Sequence, residues 1–202
     1  GVWLIAGGSH HSVAVEFADY VTIIEAPLNE ERSLAVIDEV NRLIPRKPIR
    51  FIVTTHHHWD HLGGLRAYVH EGATVITHQG NKPYYQEVLR AGPWTLEPDR
   101  FSLYPPEEWS EGYIFETLNE KYVLADQTRT VELYNVQGLA HASGMLIAYI
   151  PSEKIVVQAD LYFPGAPAPN ASARTFQRNL RRLNLDVDTI VGIHGNPTPM
   201  SQ

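Results

Sequence analysis

Cysteine is absent from the 202 residues, so no disulfide reports a compartment and no thiolate can bind a metal or act as a nucleophile. Long apolar runs are lacking too. None approaches the roughly 20 residues of a membrane span, and no signal peptide is read. Positive charge is in deficit, with 16 Lys and Arg against 23 Asp and Glu; the net charge of −7 argues against nucleic acid or an anionic membrane as partner and leaves a small-molecule substrate. At 44% hydrophobic residues the chain can build a core, and a single domain over residues 1–202 is the default. It opens at Gly1 without Met and ends soon after His194, so it is expected to be trimmed at both ends. Such a start allows a processed exported protein, and compartment and oligomeric state stay open.

What is present is concentrated between Thr55 and Gly64. His56, His58, Asp60 and His61 offer three imidazoles and a carboxylate within six residues, a donor set suited to zinc and its first-row neighbours. At this chain's His and Asp frequencies the pattern arises by chance in roughly one chain in a thousand, which makes it specific. The β-branched run Ile49 to Val53 predicts a strand buried on both faces just before it. Gly63 and Gly64 predict a tight exit into a short helix carried by Leu65, Tyr68 and Val69. The candidate ligands therefore lie at the carboxyl end of a buried strand, where open α/β sheets place their sites. A surface histidine tag is not spaced by Trp59 and Asp60 or preceded by such a strand.

His56-His57-His58-Trp59-Asp60-His61 resembles the His-x-His-x-Asp-His signature of the metallo-β-lactamase superfamily. The resemblance implies an α/β fold of αββα four-layer type with two metals at one edge. It also implies three later ligands, which match His141, Asp160 and His194. In that reading His56, His58 and His141 hold one ion, Asp60, His61 and His194 hold the second, and Asp160 bridges both. Two divalent ions about 3.5–4 Å apart share a water and lower its pKa towards neutrality, so that a hydroxide becomes the nucleophile, oriented by Asp60. Zinc is the first expectation, and manganese or iron occupy similar sites.

The ligand set also bears on the reaction. Relatives that run diiron redox chemistry usually carry Glu at the position of His58, and true β-lactamases lack the bridging Asp. The chain is thus similar to glyoxalase II, lactonases and esterases, which implies hydrolysis of an ester, thioester or lactone; β-lactam hydrolysis as a minor activity is an alternative. Ala159 departs from the Gly that many such relatives place before the Asp. Two rivals remain: a mononuclear iron persulfide dioxygenase, using ligands like His56, His58 and His141, and a metal-binding module without turnover.

The rest of the chain reads as frame. Val2 to Ala6, Val13 to Phe17 and Val21 to Ile24 form a meander. Asn29 caps a helix with Leu34, Ile37, Val40 and Ile44 on one stripe, stopped by Pro45. Ala73 to Thr77 is a second buried strand, and Pro83 to Arg90 a short helix. Four prolines exclude regular structure from Gly92 to Gly112, whose aromatics suggest a loop over the core edge or a lid. Tyr122 to Ala125 pairs with Thr130 to Val136, and Met145 to Ile150 with Ile155 to Gln158. Ser172 is expected to cap a helix, and Asp188 to Ile193 to be the last strand before His194.

Other candidates are weaker. Tyr162 is a candidate hydrogen-bond donor at the site or a packed aromatic. His10 and His11 lie on a turn that approaches the metal edge in relatives. His57 points away, His70 and His78 are structural, and Arg174, Arg178, Arg181 and Arg182 form a solvated helix face. Asn170-Ala171-Ser172 matches a glycosylation acceptor.

Overall fold

The central strands are buried along nearly their whole length, so both faces of each sheet must be covered. A computed structural model describes residues 1–90, 98–104, 115–166 and 168–200. The first sheet runs in chain order through β1 (Val2–Ile5), β2 (Ser12–Glu16), β3 (Val21–Ile24), β4 (Ile49–Val53), β5 (Thr74–His78) and β6 (Phe115–Leu118). Its first three strands are antiparallel, and β3 to β6 are parallel. In the second sheet, β7 (Lys121–Ala125), β8 (Thr130–Asn135), β9 (Leu146–Ile150), β10 (Ile155–Gln158), β11 (Thr189–Gly192) and β12 (Thr198–Pro199) lie in the same regular order. Only β10 and β11 pair in parallel there.

Between the sheets, Val13, Ile24 and Val53 pack with Leu133, Leu146 and Val157. The outer face of the first sheet is closed by α1 (Glu30–Leu43), α3 (Leu65–His70) and α4 (Lys82–Arg90), which follow and precede two one-turn helices, α2 (Trp59–Leu62) and α5 (Arg100–Leu103). On the second sheet α6 (Ala171–Arg182) does the same through Phe176 and Leu180. The result is the αββα sandwich that the resemblance implies. Strand β4 shows how it is built. A register shift opposite Val21 and Thr22 bulges Arg50 out, so Ile49 and Ile52 both reach the helical layer while Phe51 and Val53 face the other sheet.

Several local expectations need correction or extension. Asn170, not Ser172, caps α6, its Oδ1 accepting from the Ala173 amide at 2.8 Å, so the side chain of the glycosylation-like motif is already engaged in the cap. Strand β11 is the last before His194, as expected, and beyond that residue Thr198 and Pro199 return as a two-residue edge strand. Within the proline-rich stretch, Asp99 caps α5 through the Ser102 amide, so one helical turn forms there. The remainder of that stretch, and with it the lid reading, lies outside the described residues. Gly63 and Gly64 form the expected turn into α3, with negative φ, and they also serve close approach: a Cβ on Gly63 would lie 2.1 Å from the Leu28 carbonyl oxygen, and one on Gly64 1.9 Å from Ser33 Oγ. The start of α1 is thereby seated against the metal-motif loop.

One carboxylate ties the two sheets together. Asp126 Oδ2 accepts from the Ala18 amide of the β2–β3 turn at 2.7 Å, and Oδ1 accepts from the amides of Thr128 and Arg129 and from the Thr128 hydroxyl. The Thr128 hydroxyl and the Ala18 amide hold its carboxyl well below the usual carboxylate range. A depressed folded value means stability that is present above the ordinary 3.8 and lost as pH falls through the folded value. Asp126→Ala therefore lowers the melting temperature at neutral pH, and the gap from wild type closes on acidification; melting curves across pH check both parts.

Candidate metal centre

The site begins where β4 ends. Thr54 donates to the Tyr85 hydroxyl at 2.7 Å, and Tyr85, fully buried in α4, donates to the His56 carbonyl at 3.0 Å, so the backbone leaves the strand along a fixed line. His58 then precedes the one turn of α2 that carries Asp60 and His61. His141 enters from the β8–β9 connection, Asp160 from just beyond β10, and His194 from just beyond β11. Asp160 has φ +58°, a left-handed conformation that Asp tolerates better than most residues, and this aims its carboxylate inward. Ala159 is buried between the sheets with no such φ, so the missing Gly shifts nothing at the ligand.

The converging groups form two clusters. His56, His58, His141 and Asp160 each bring one donor atom within 4.8 Å of the others, and so do His10, His61 and His194. Asp160 serves both: Oδ2 lies 3.5 Å from His56 Nε2, 3.1 Å from His141 Nε2 and 3.2 Å from His61 Nε2, while Oδ1 lies 2.9 Å from His194 Nε2. All seven residues expected from the motif and its resemblance are brought to this edge. Asp60 sits at the margin, with Oδ2 3.6 Å from His61 Nε2 and 3.4 Å from His10 Nε2.

Hydrogen bonds behind the imidazoles set which nitrogen faces the centre. Glu25, buried immediately after β3, takes the His61 Nδ1–H at 2.6 Å, the Thr55 amide at 2.7 Å and the Thr55 hydroxyl at 2.9 Å. Because that hydroxyl donates to Glu25, it accepts from His56 Nδ1 at 3.0 Å. His194 Nδ1 donates to the Ser9 carbonyl at 2.9 Å. His56, His61 and His194 therefore present Nε2 lone pairs forward, as metal ligands do. His61 Nε2 is buried with no aligned hydrogen bond, although Asp160 lies close, and His56 Nε2 stands 3.0 Å from His58 Nδ1. An orphaned lone pair and crowded imidazole nitrogens around a shared carboxylate are what a divalent transition-metal ion fits.

Electrostatics separates two equally buried imidazoles. Burial and then His61 push the His56 pKa down to about 2. Burial also acts to lower His61, but the Glu25 and Asp160 carboxylates outweigh it and push the value up to about 10. Burial raises the Asp160 pKa, yet the His194 and His61 side chains facing it prevail and hold it well below the usual range; with a value of about 10, His61 keeps a proton on Nε2 in the metal-free protein, the proton that a cation would displace. The pairing with Asp160 raises His194 in turn.

Some expectations end elsewhere. Tyr162 packs its ring with the cluster beneath α6, where it lines a cavity of about 300 Å³ with Phe176, Leu180 and Met200; this is the packed aromatic, not the donor at the site. Its neighbour Phe163 instead lies against the His194 ring, centroids 5.8 Å apart, and is 41% exposed. His57 turns to Tyr84, and His78 Nδ1 accepts from the Gly80 amide. Arg174, Arg178, Arg181 and Arg182 are exposed on α6. Glu25 and the buried His10 are the residues that sequence reasoning undervalued. A carboxylate directly after the apolar run Val21 to Ile24 was the available signal.

Comparison with known proteins agrees with this geometry. The chain is 24% identical over 197 residues to the 2,4-dinitroanisole O-demethylase subunit alpha of Nocardioides sp. (strain JS1661), covering 96% of this chain and 55% of that one. It is 37% identical over 57 residues to a linear primary-alkylsulfatase of Pseudomonas sp., or 28% of this chain and 8% of the relative. The chain thus spans about half or less of the curated relatives it matches. Its fold superposes on a metallo-beta-lactamase from Pontibacter korlensis with a TM-score of 0.68 at 18% identity, covering 98% of this chain and 87% of the other. The sequence profile of the metallo-beta-lactamase superfamily matches residues 5–194, and the chain belongs to that superfamily.

Proposed function

We propose that this chain is a dinuclear metal-dependent hydrolase acting on an ester, thioester or lactone. The observation that supports it is Asp160, one carboxylate within reach of both imidazole clusters. Two divalent ions, zinc first, supply Lewis acidity and an acidified water when bound. His56, His58 and His141 would hold one ion and His61 and His194 the other, with the Asp160 carboxylate facing both clusters. Asp60, half-buried at the margin, orients the attacking water and takes up its proton. Phe163 beside His194 offers an apolar wall for the substrate's carbon skeleton.

The test begins with elemental analysis of protein purified without added metal, followed by turnover on esters, thioesters, lactones and a β-lactam. The alkylsulfatase and the O-demethylase among the relatives extend that panel to alkyl sulfates and aryl methyl ethers. Near two zinc ions per chain with hydrolysis supports the proposal. Near one iron favours the persulfide dioxygenase, which needs only His56, His58 and His141; metal without any turnover favours a binding module. His58→Ala loses metal and hydrolysis together, by more than about a hundredfold in kcat/KM, roughly 3 kcal/mol of transition-state stabilisation. Unchanged turnover in that variant sinks the assignment.

A further inference from the structure

The turn between β1 and β2 carries a histidine outside the seven-residue set. His10 is only 8% exposed, its ring meets that of His194 edge-on at 4.2 Å and that of His61 at 5.3 Å, and its donor atom falls in the compact cluster with theirs. Asp60, expected in that cluster, is not part of it. We propose that His10 is a direct ligand of the second cation, beside His61 and His194, an inference that rests on the two-cation reading above.

The surrounding hydrogen bonds support the assignment. His61 and His194 each tie Nδ1 back to an acceptor, Glu25 and the Ser9 carbonyl. His10 repeats the pattern, with Nδ1 2.8 Å from Ser9 Oγ; donation to that oxygen leaves the Nε2 lone pair facing the cluster. Ser9 therefore holds both His10 and His194 from behind. The turn itself is fixed, because the His11 amide donates to the Ile193 carbonyl at 2.8 Å and the His10 amide to the Gly7 carbonyl at 3.2 Å. The competing arrangement has His10 Nε2–H donating to Asp60. That contact is 3.4 Å, well beyond the roughly 2.7–2.9 Å of a charge-assisted hydrogen bond.

Cobalt titration of the chelated protein, followed by calorimetry and visible absorption, tests the proposal. Wild type takes up two ions. His10→Gln keeps one tight ion and weakens the second by more than about 100-fold, beyond the roughly 10- to 100-fold that losing an outer hydrogen-bond partner brings. His10→Glu, the same size but with an anionic oxygen donor, recovers the second ion, and metal-free His10→Gln melts like metal-free wild type. A His10→Gln protein that binds its second ion within 100-fold of wild type overturns the assignment of His10 alone. A wild type that takes up a single ion overturns the two-cation reading and this one with it. Wild type gives a reading free of any variant: with cobalt bound, the His10 Nδ1–H proton resonance is strongly shifted and slow to exchange, and an unshifted resonance refutes ligation.

Discussion

Asp160→Asn purifies with less than one metal ion per chain and loses at least about a thousandfold in kcat/KM, roughly 4 kcal/mol at 1.36 kcal/mol per tenfold. The backbone does not confuse the result, since φ at this position is +58° and Asn is among the few residues that share the tolerance of Asp for that region. What changes is charge. The carboxylate stands within 3.5 Å of four imidazole nitrogens, drawn from both clusters, and its two oxygens divide between them. A carboxamide offers one neutral oxygen to the same space and turns an N–H₂ towards the rest. If the site holds two ions as proposed, both are thus weakened by one substitution, whereas His58→Ala acts on the first cluster alone. Elemental analysis of the two variants side by side separates the cases, and an Asp160→Asn protein that retains two ions refutes the shared ligand.

Much of the frame was legible because it obeys local rules. The Ile49 to Val53 strand matches β4 residue for residue, the Asn29 cap and the α1 stripe through Ile37 and Val40 hold, and the hairpins of the second sheet fall within a residue or two of their predicted ends. The metal motif was legible for a different reason: donor atoms crowded into six residues have little other purpose. His141, Asp160 and His194 came only through resemblance, since nothing local marks a residue 80 to 140 positions away as a neighbour of the motif. Register across two sheets makes them meet.

The errors share a physical cause. Tyr162 and Phe163 are adjacent aromatics after β10, and which faces the site depends on how the chain turns beyond Asp160, information absent from the pattern itself. Asn170 outcompeted Ser172 for the α6 cap because both are good caps two residues apart. Gly63 and Gly64 do turn the chain into α3, and the further demand on them, close approach of the start of α1, lay outside the local pattern. In the first two cases tertiary contact chose between locally equivalent options.

Glu25 extends the argument from ligands to what holds them. Its backbone is at φ +79°, a conformation that costs a non-Gly residue about 1–3 kcal/mol, and it is pinned there by its amide on the Val53 carbonyl and by Ser12 Oγ on its own carbonyl. In return one buried carboxylate receives three donors and sets tautomers on both sides of the centre, His61 directly and His56 through the Thr55 hydroxyl. Glu25→Gln preserves shape but not charge, and its amide N–H₂ must face one of those donors. It is expected to stay folded and to bind metal about 10- to 100-fold more weakly, the effect of losing an outer partner. Glu25→Ala leaves the Thr55 amide, the Thr55 hydroxyl and His61 Nδ1 buried without an acceptor, at about 1–3 kcal/mol each. Against a typical domain stability of about 5–15 kcal/mol, that loss leaves the metal-free protein marginal, with excess zinc restoring part of the melting temperature. Melting curves with and without chelator distinguish the two roles. A Glu25→Ala protein that melts like wild type and binds metal normally shows that the imidazoles find their orientation without it.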